Sequence, residues 1–93
     1  MRIEDVFSSK GRVRILRILV EIGELNASEI ARRAGLNYAT ADQHLKVLEN
    51  SGLVRQRKFG RIRMYRFHDS GLRAEAVRKL IEVWKKTSKP EPR

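Results

Sequence analysis

Cysteine is absent from the 93 residues, which excludes disulfides and thiolate metal sites. No apolar run approaches the roughly 18–20 residues needed to span a bilayer. The opening residues, MRIEDV, lack the charged-then-apolar layout of a signal peptide. A cytoplasmic chain with no membrane partner is therefore expected. Acidic residues are missing from one stretch: residues 51–68 hold six Lys/Arg and no Asp/Glu. Ion-pair networks need both signs, so this stretch reads as a cationic surface offered to a polyanion. Catalytic signatures are missing too, namely a nucleophile–base pairing, a phosphate-cradling glycine loop and a helical His-x-x-x-His. No enzyme is expected.

The net charge is +10 and unevenly placed. Residues 1–50 carry eight basic and seven acidic residues, and residues 69–93 carry seven and four. With 41% apolar and 34% charged residues, the chain reads as one globular domain over 1–86 with a flexible tail over 87–93. A chain this short buries only roughly 60–65% of its unfolded surface, so a second copy would add useful burial.

The spacing predicts a helix over Lys10–Ile22. Polar Lys10, Arg14, Arg17, Glu21 and Glu24 form one narrow stripe. At about 100° per residue, Val13, Ile15, Leu16, Ile18, Leu19, Val20 and Ile22 cover roughly 220° of the circumference, more than one packing face needs. Either a second subunit covers part of this arc or the helix lies deep in its own domain. Arg12 falls on the apolar side but in the first turn, within reach of water. Asn26 and Glu29 read as a capping box for a helix over Ala27–Ala34, ended by Gly35. Asn37 caps a third helix, Tyr38–Asn50. Two helices joined by a short glycine-containing turn make a helix-turn-helix. Residues 53–59 and 62–67 then form a β-hairpin about Gly60 and Arg61, with Val54, Met64, Tyr65 and Phe67 as packing residues. Asp69 and Ser70 are positioned to cap a last helix over 71–86, whose apolar half holds Leu72, Ala76, Val77, Leu80, Ile81, Val83 and Trp84.

The third helix carries the functional reading. Ala41, Leu45 and Leu48 form its core side. Ala39, Gln43, Lys46 and Asn50 run along the other, flanked by Thr40, Asp42 and Val47. Short hydrogen-bonding side chains on an exposed strip suit a major groove: Gln43 matches adenine, and Lys46 reaches guanine or a phosphate. Asn37, Tyr38 and Thr40 sit where a recognition helix first meets DNA, and its free N–H groups attract phosphate. In the hairpin, Arg55, Arg57, Lys58, Arg61, Arg63 and Arg66 would follow the backbone, with Arg61 entering a minor groove. The expected DNA-binding set is Asn37, Tyr38, Ala39, Thr40, Asp42, Gln43, Lys46, Arg57, Lys58, Arg61 and Arg63.

The runs SKGRVRIL (9–16), ILRIL (15–19), ASEIARRAGL (27–36) and HLKVLENSGLV (44–54) resemble ArsR-like winged-helix regulators, especially small archaeal-type members. The resemblance spans about 7–68. It implies an α+β winged helix-turn-helix fold: a three-helix core, a two-stranded wing and a C-terminal dimerisation helix. It also implies a homodimer on duplex DNA, with an interface of terminal helices drawn from Ile15, Ile18, Ile22, Val77, Leu80, Ile81 and Trp84. The cysteines by which metal-sensing members bind their ion are missing here, so no metal at that site and no cofactor are expected. His44 and His68 have no ligand cluster with zinc-like spacing and read as structural. Where the family often has Ser, this chain has Asp42, which would accept a bond from cytosine or repel a phosphate. A nonspecific architectural DNA coat is the alternative. A protein-binding winged helix and an RNA binder, with only Phe59, Tyr65 and Phe67 for stacking, also stay open.

Overall fold

The computed structural model describes residues 1–68 and 70–88. Along the chain run α1 (Ile3–Phe7), α2 (Lys10–Ile22), β1 (Leu25–Asn26), α3 (Ala27–Ala34), α4 (Tyr38–Asn50), β2 (Val54–Phe59), β3 (Ile62–Phe67) and α5 (Leu72–Thr87). The sheet is antiparallel with order β1-β3-β2. This is the α+β winged helix-turn-helix architecture, with two additions to the expected elements. The N-terminal helix α1 buries Val6 in the core. The two-residue strand β1 makes the wing three-stranded, Leu25 pairing with Tyr65 and Asn26 with Met64.

Side-chain caps set the helix starts. The Ser9 hydroxyl accepts from the Arg12 N–H at 3.2 Å, Asn26 Oδ1 from the Glu29 N–H at 2.8 Å, and Asn37 Oδ1 from the Thr40 N–H at 2.8 Å. Each satisfies a donor that the helix geometry leaves open. The Glu29 carboxylate, expected to complete a capping box, instead takes bonds from Arg32 and Arg33. The turn between α3 and α4 depends on Gly35, whose φ of 68° lies in the left-handed region, where a Cβ is strained. The last helix differs from expectation. Its N-cap is Gly71, which has no side chain to offer, and Ser70 lies beside His68 instead. Asp69 lies outside the described residues. So does the expected tail, apart from Thr87, which still belongs to α5, and Ser88.

The core forms between α2, α3, α4 and the sheet. Ile15, Leu16, Leu19, Ile30, Leu45, Leu48, Leu53, Val54 and Tyr65 are fully or almost fully buried. Tyr65 keeps its hydroxyl partnered by Gln56 at 3.4 Å. The wide apolar arc of α2 now has its explanation. This helix packs against α1, α3, α4, α5 and β3, so most of the arc faces the chain's own core. Ile15 is 0% and Ile18 8% exposed. Ile15 therefore has no surface for a second copy and Ile18 almost none, which corrects their expected place in an interface. Arg12 is half-buried, and its guanidinium bridges neighbouring elements. Its Nε donates to His44 Nδ1 at 3.2 Å, and its Nη1 bonds the Asp5 carbonyl. His44 closes the α2–α4 contact so tightly that a Cβ on Gly11 would stand 2.9 Å from Nε2.

Candidate nucleic-acid interface

The helix α4 divides as its spacing predicts. Ala41, Leu45 and Leu48 are 0% exposed, while Ala39, Gln43, Lys46 and Asn50 face solvent. Thr40, Asp42 and Val47 are half-buried between them. Asn37 is exposed but its Oδ1 is occupied by capping. Tyr38, 48% exposed, opens the helix. The strip is therefore free at Ala39, Gln43 and Asn50, polar and uncovered by the chain itself.

Alternation along the hairpin sorts the wing residues. In the observed register, Val54 pairs with Phe67, Gln56 with Tyr65 and Lys58 with Arg63. The first two pairs pack on the core, so this is the inner face. Arg55, Arg57 and Phe59 share the outer face with Arg66, Met64 and Ile62. Lys58 and Arg61 are exposed near the tip. Among the described residues, Arg55, Lys58 and Arg61 make no ion pair.

Three of the expected DNA-contacting cations are paired with carboxylates instead. On the inner face, Arg63 Nη2 donates to Asp42 Oδ1 at 2.8 Å and to the Tyr38 hydroxyl at 2.7 Å. Lys46 Nζ stands 3.3 Å from the other Asp42 oxygen. Asp42 is thus occupied on both oxygens by its own chain, which corrects its expected role against cytosine or phosphate. Burial pushes its carboxyl up, but the bonds from Arg63 and Lys46 outweigh this and hold it below the ordinary aspartate range. On the outer face, Arg57 forms a two-bond pair with Glu24, Nε and Nη2 each 2.8 Å from a carboxylate oxygen. The Arg57 bond is the largest influence lowering the Glu24 carboxyl. The lack of acid within 51–68 did not keep the wing free of ion pairs, because both carboxylates arrive from elsewhere in the chain. These two links fix the hairpin to α4 on one side and to the α2–β1 turn on the other. Glu24 had no local signal, since its partner lies 33 residues away.

Among the described residues, no three His, Cys, Asp or Glu are grouped to hold a metal ion. His44 is half-buried, and burial first, then the Arg12 charge, pushes its imidazole below the ordinary value. Between α1, α2 and α5 lies an open groove of about 530 Å³, whose lining includes Phe7, Val13, Leu80, Ile81 and Trp84. Trp84 is 71%, Leu80 51% and Ile22 46% exposed, whereas Val77 and Ile81 are half-covered by the core. No helix among the described residues is long and apolar enough to cross a membrane.

Residues 9–56 match the family described as bacterial regulatory protein, arsR family. A cadmium resistance transcriptional regulatory protein CadC homolog of Staphylococcus aureus is 32% identical over 81 residues, 87% of this chain and 63% of that protein. The chain thus spans under two thirds of that relative's length. An uncharacterized HTH-type transcriptional regulator of Sulfolobus spindle-shape virus 1 is 30% identical over 83% of this chain and 67% of its own. Among solved structures, a homodimeric winged helix-turn-helix DNA-binding domain from Mycobacterium bovis superposes with a TM-score of 0.71. It is 30% identical, over 87% of this chain and 72% of that one. With the helix-turn-helix and wing in place and the family match covering more than half of its length, the chain belongs to the ArsR family of winged helix-turn-helix regulatory proteins.

Proposed function

We propose that this chain binds specific duplex DNA sequences as a homodimeric transcription regulator, with α4 in the major groove and the wing along the backbone and minor groove. The observation that carries this reading is the uncovered strip of Ala39, Gln43 and Asn50 beside the exposed cations Lys58 and Arg61. Gln43 reads a base edge, Arg61 enters the minor groove, and Lys58 and Arg55 neutralise phosphates. The Mycobacterium bovis neighbour supports the dimer, and of the expected interface residues Leu80, Trp84 and Ile22 are the exposed ones. Two-fold pairing demands two half-sites about one helical turn, roughly 10–10.5 base pairs, apart. Such a regulator works in the cytoplasm, without a cofactor or catalytic step.

Selection from random duplex DNA followed by footprinting tests this. A two-fold-related consensus is expected, and affinity should fall about 10³–10⁵-fold between 50 and 200 mM salt for roughly six to ten neutralised phosphates per dimer. Gln43→Ala should relax base preference, whereas Arg61→Ala should weaken binding to every sequence. Even coverage with no consensus would replace this reading with that of an architectural DNA coat.

A further inference from the structure

The hairpin tip carries an apolar pair that recognition by α4 leaves without a task. Phe59 and Ile62 stand opposite each other across the turn at Gly60 and Arg61. Their exposures are 53% and 54%. Both lie on the outer face, with the core behind the other, so neither folds inward. An exposed apolar pair at a hairpin tip favours unwanted association and adds no packing. Phe59 is also held in place. The Arg57 guanidinium sits 4.6 Å from the ring centroid, a stacking distance for a cation over an aromatic face. Arg57 is in turn gripped by Glu24. Glu24, Arg57 and Phe59 form a brace from the end of α2 to the tip. On the opposite face, the Arg63–Asp42 bond ties the same hairpin to α4.

We propose that Phe59 and Ile62 act as a wedge that enters the minor groove, opens a base step and bends the duplex, with the Glu24–Arg57 pair positioning the ring. This rests on the duplex-DNA reading above. Charge complementarity selects the occupant. Lys58 and Arg61 flank the pair, so a polyanion is drawn to the tip, whereas a second copy would set like charges against each other. A minor groove about 6 Å wide admits side chains from such a tip rather than the whole ribbon, and the exposed Phe59 and Ile62 are the apolar ones it offers. Apolar side chains delivered there unstack base steps and kink DNA by about 20–90°. The ties on both faces of the hairpin keep the tip from yielding when it meets the stack.

The test uses a duplex obtained by the selection above, with a donor and an acceptor dye at its ends and 2-aminopurine at the step facing the wing. Wild-type protein is expected to shorten the end-to-end distance and brighten the 2-aminopurine. The Phe59→Ala/Ile62→Ala variant should keep the footprint, bind more weakly, and leave the DNA as straight as the free duplex. Glu24→Gln should keep the footprint and give a smaller bend, a result that a merely stabilising pair would not produce. Because both tip residues are exposed, an unchanged melting temperature verifies that the double variant is folded. A footprint on straight DNA overturns the wedge alone, as does a double variant that bends DNA like wild type. Loss of self-association in the double variant with bending intact overturns it in favour of a protein contact. No footprint on any duplex overturns the regulator reading and the wedge together.

Discussion

Replacing Asp42 with asparagine keeps the shape of the side chain and removes the charge that holds Arg63 and Lys46. The Arg63 bond is charge-assisted and sheltered, with the Asp42 and Arg63 side chains 19% and 27% exposed. Such bonds contribute about 1.5–3 kcal/mol, against about 0.5–1.5 kcal/mol for a neutral one. The Lys46 pair, with the lysine 65% exposed, adds only a few tenths of a kcal/mol. Since asparagine still accepts from Arg63, a net loss of about 1–1.5 kcal/mol is expected, and each kcal/mol lowers the melting temperature of a domain this size by about 4–8 °C. DNA binding should move the other way. The charges of Arg63 and Lys46 are no longer offset by Asp42, and each that then meets a phosphate steepens the dependence of log K on log salt by about 0.9. Each then adds about 3.5-fold to the affinity lost between 50 and 200 mM. Random duplex should gain more than the selected one. Thermal unfolding followed by circular dichroism, and anisotropy titrations on both duplexes across that salt range, measure the two effects. An unchanged slope with an unchanged melting temperature would refute the argument. So would a loss confined to the selected duplex, which would mean that Asp42 contacts a base.

The apolar groove beside α5 gives a second expectation: Leu80→Lys with Trp84→Lys should yield monomers in sedimentation experiments and cost most of the DNA affinity, and a dimer that persists would place the interface elsewhere. Acid should weaken the domain in two ranges. Bonds from Arg32 first, opposed by burial and reinforced by Arg33, lower the Glu29 carboxyl to about 2 from its ordinary 4.5. A carboxyl lowered on folding stabilises fully above 4.5 and loses that contribution as pH falls toward 2, so Glu29→Gln should flatten the urea midpoint there. His44, lowered from 6.5, binds its proton more readily when unfolded, so stability should fall as pH drops below 6.5, and His44→Gln should remove that slope. Gly35→Ala should cost about 1 kcal/mol in denaturant titration, because its φ of 68° strains any Cβ.

Strong local patterns carried most of the fold into view. The bounds of α2, α3, α4 and β3 follow from caps and from the 3.6- and 2-residue periods, because Asn26, Asn37 and the Leu45–Leu48 side each act within one turn of their own helix. Elements too short for a period escaped. The helix α1 has five residues, held by Asp5 accepting from the Arg2 N–H at 3.0 Å. The strand β1 has two residues and exists only because β3 offers an edge. The uncovered strip on α4 was legible for the same local reason as its core side. The fates of Arg57 and Arg63 were not, since their partners lie 33 and 21 residues away, and charge counted along a segment takes no account of what folding brings beside it. The apolar breadth of α2 misled in the same manner. It reflects a central position among five neighbouring elements, so Ile15 serves the monomer.

The closeness of Gly11 to His44 has a consequence for how the reading helix sits. A methyl on Gly11 would stand 2.9 Å from Nε2 and 3.1 Å from Cδ2 of the imidazole, so α2 and α4 meet there with no clearance. Any side chain larger than hydrogen at position 11 therefore requires the His44 ring to shift or a smaller residue at position 44. The glycine lets α2 and α4 approach closely, and the imidazole, held by the bond from Arg12, fills the seam behind the helix that presents Gln43.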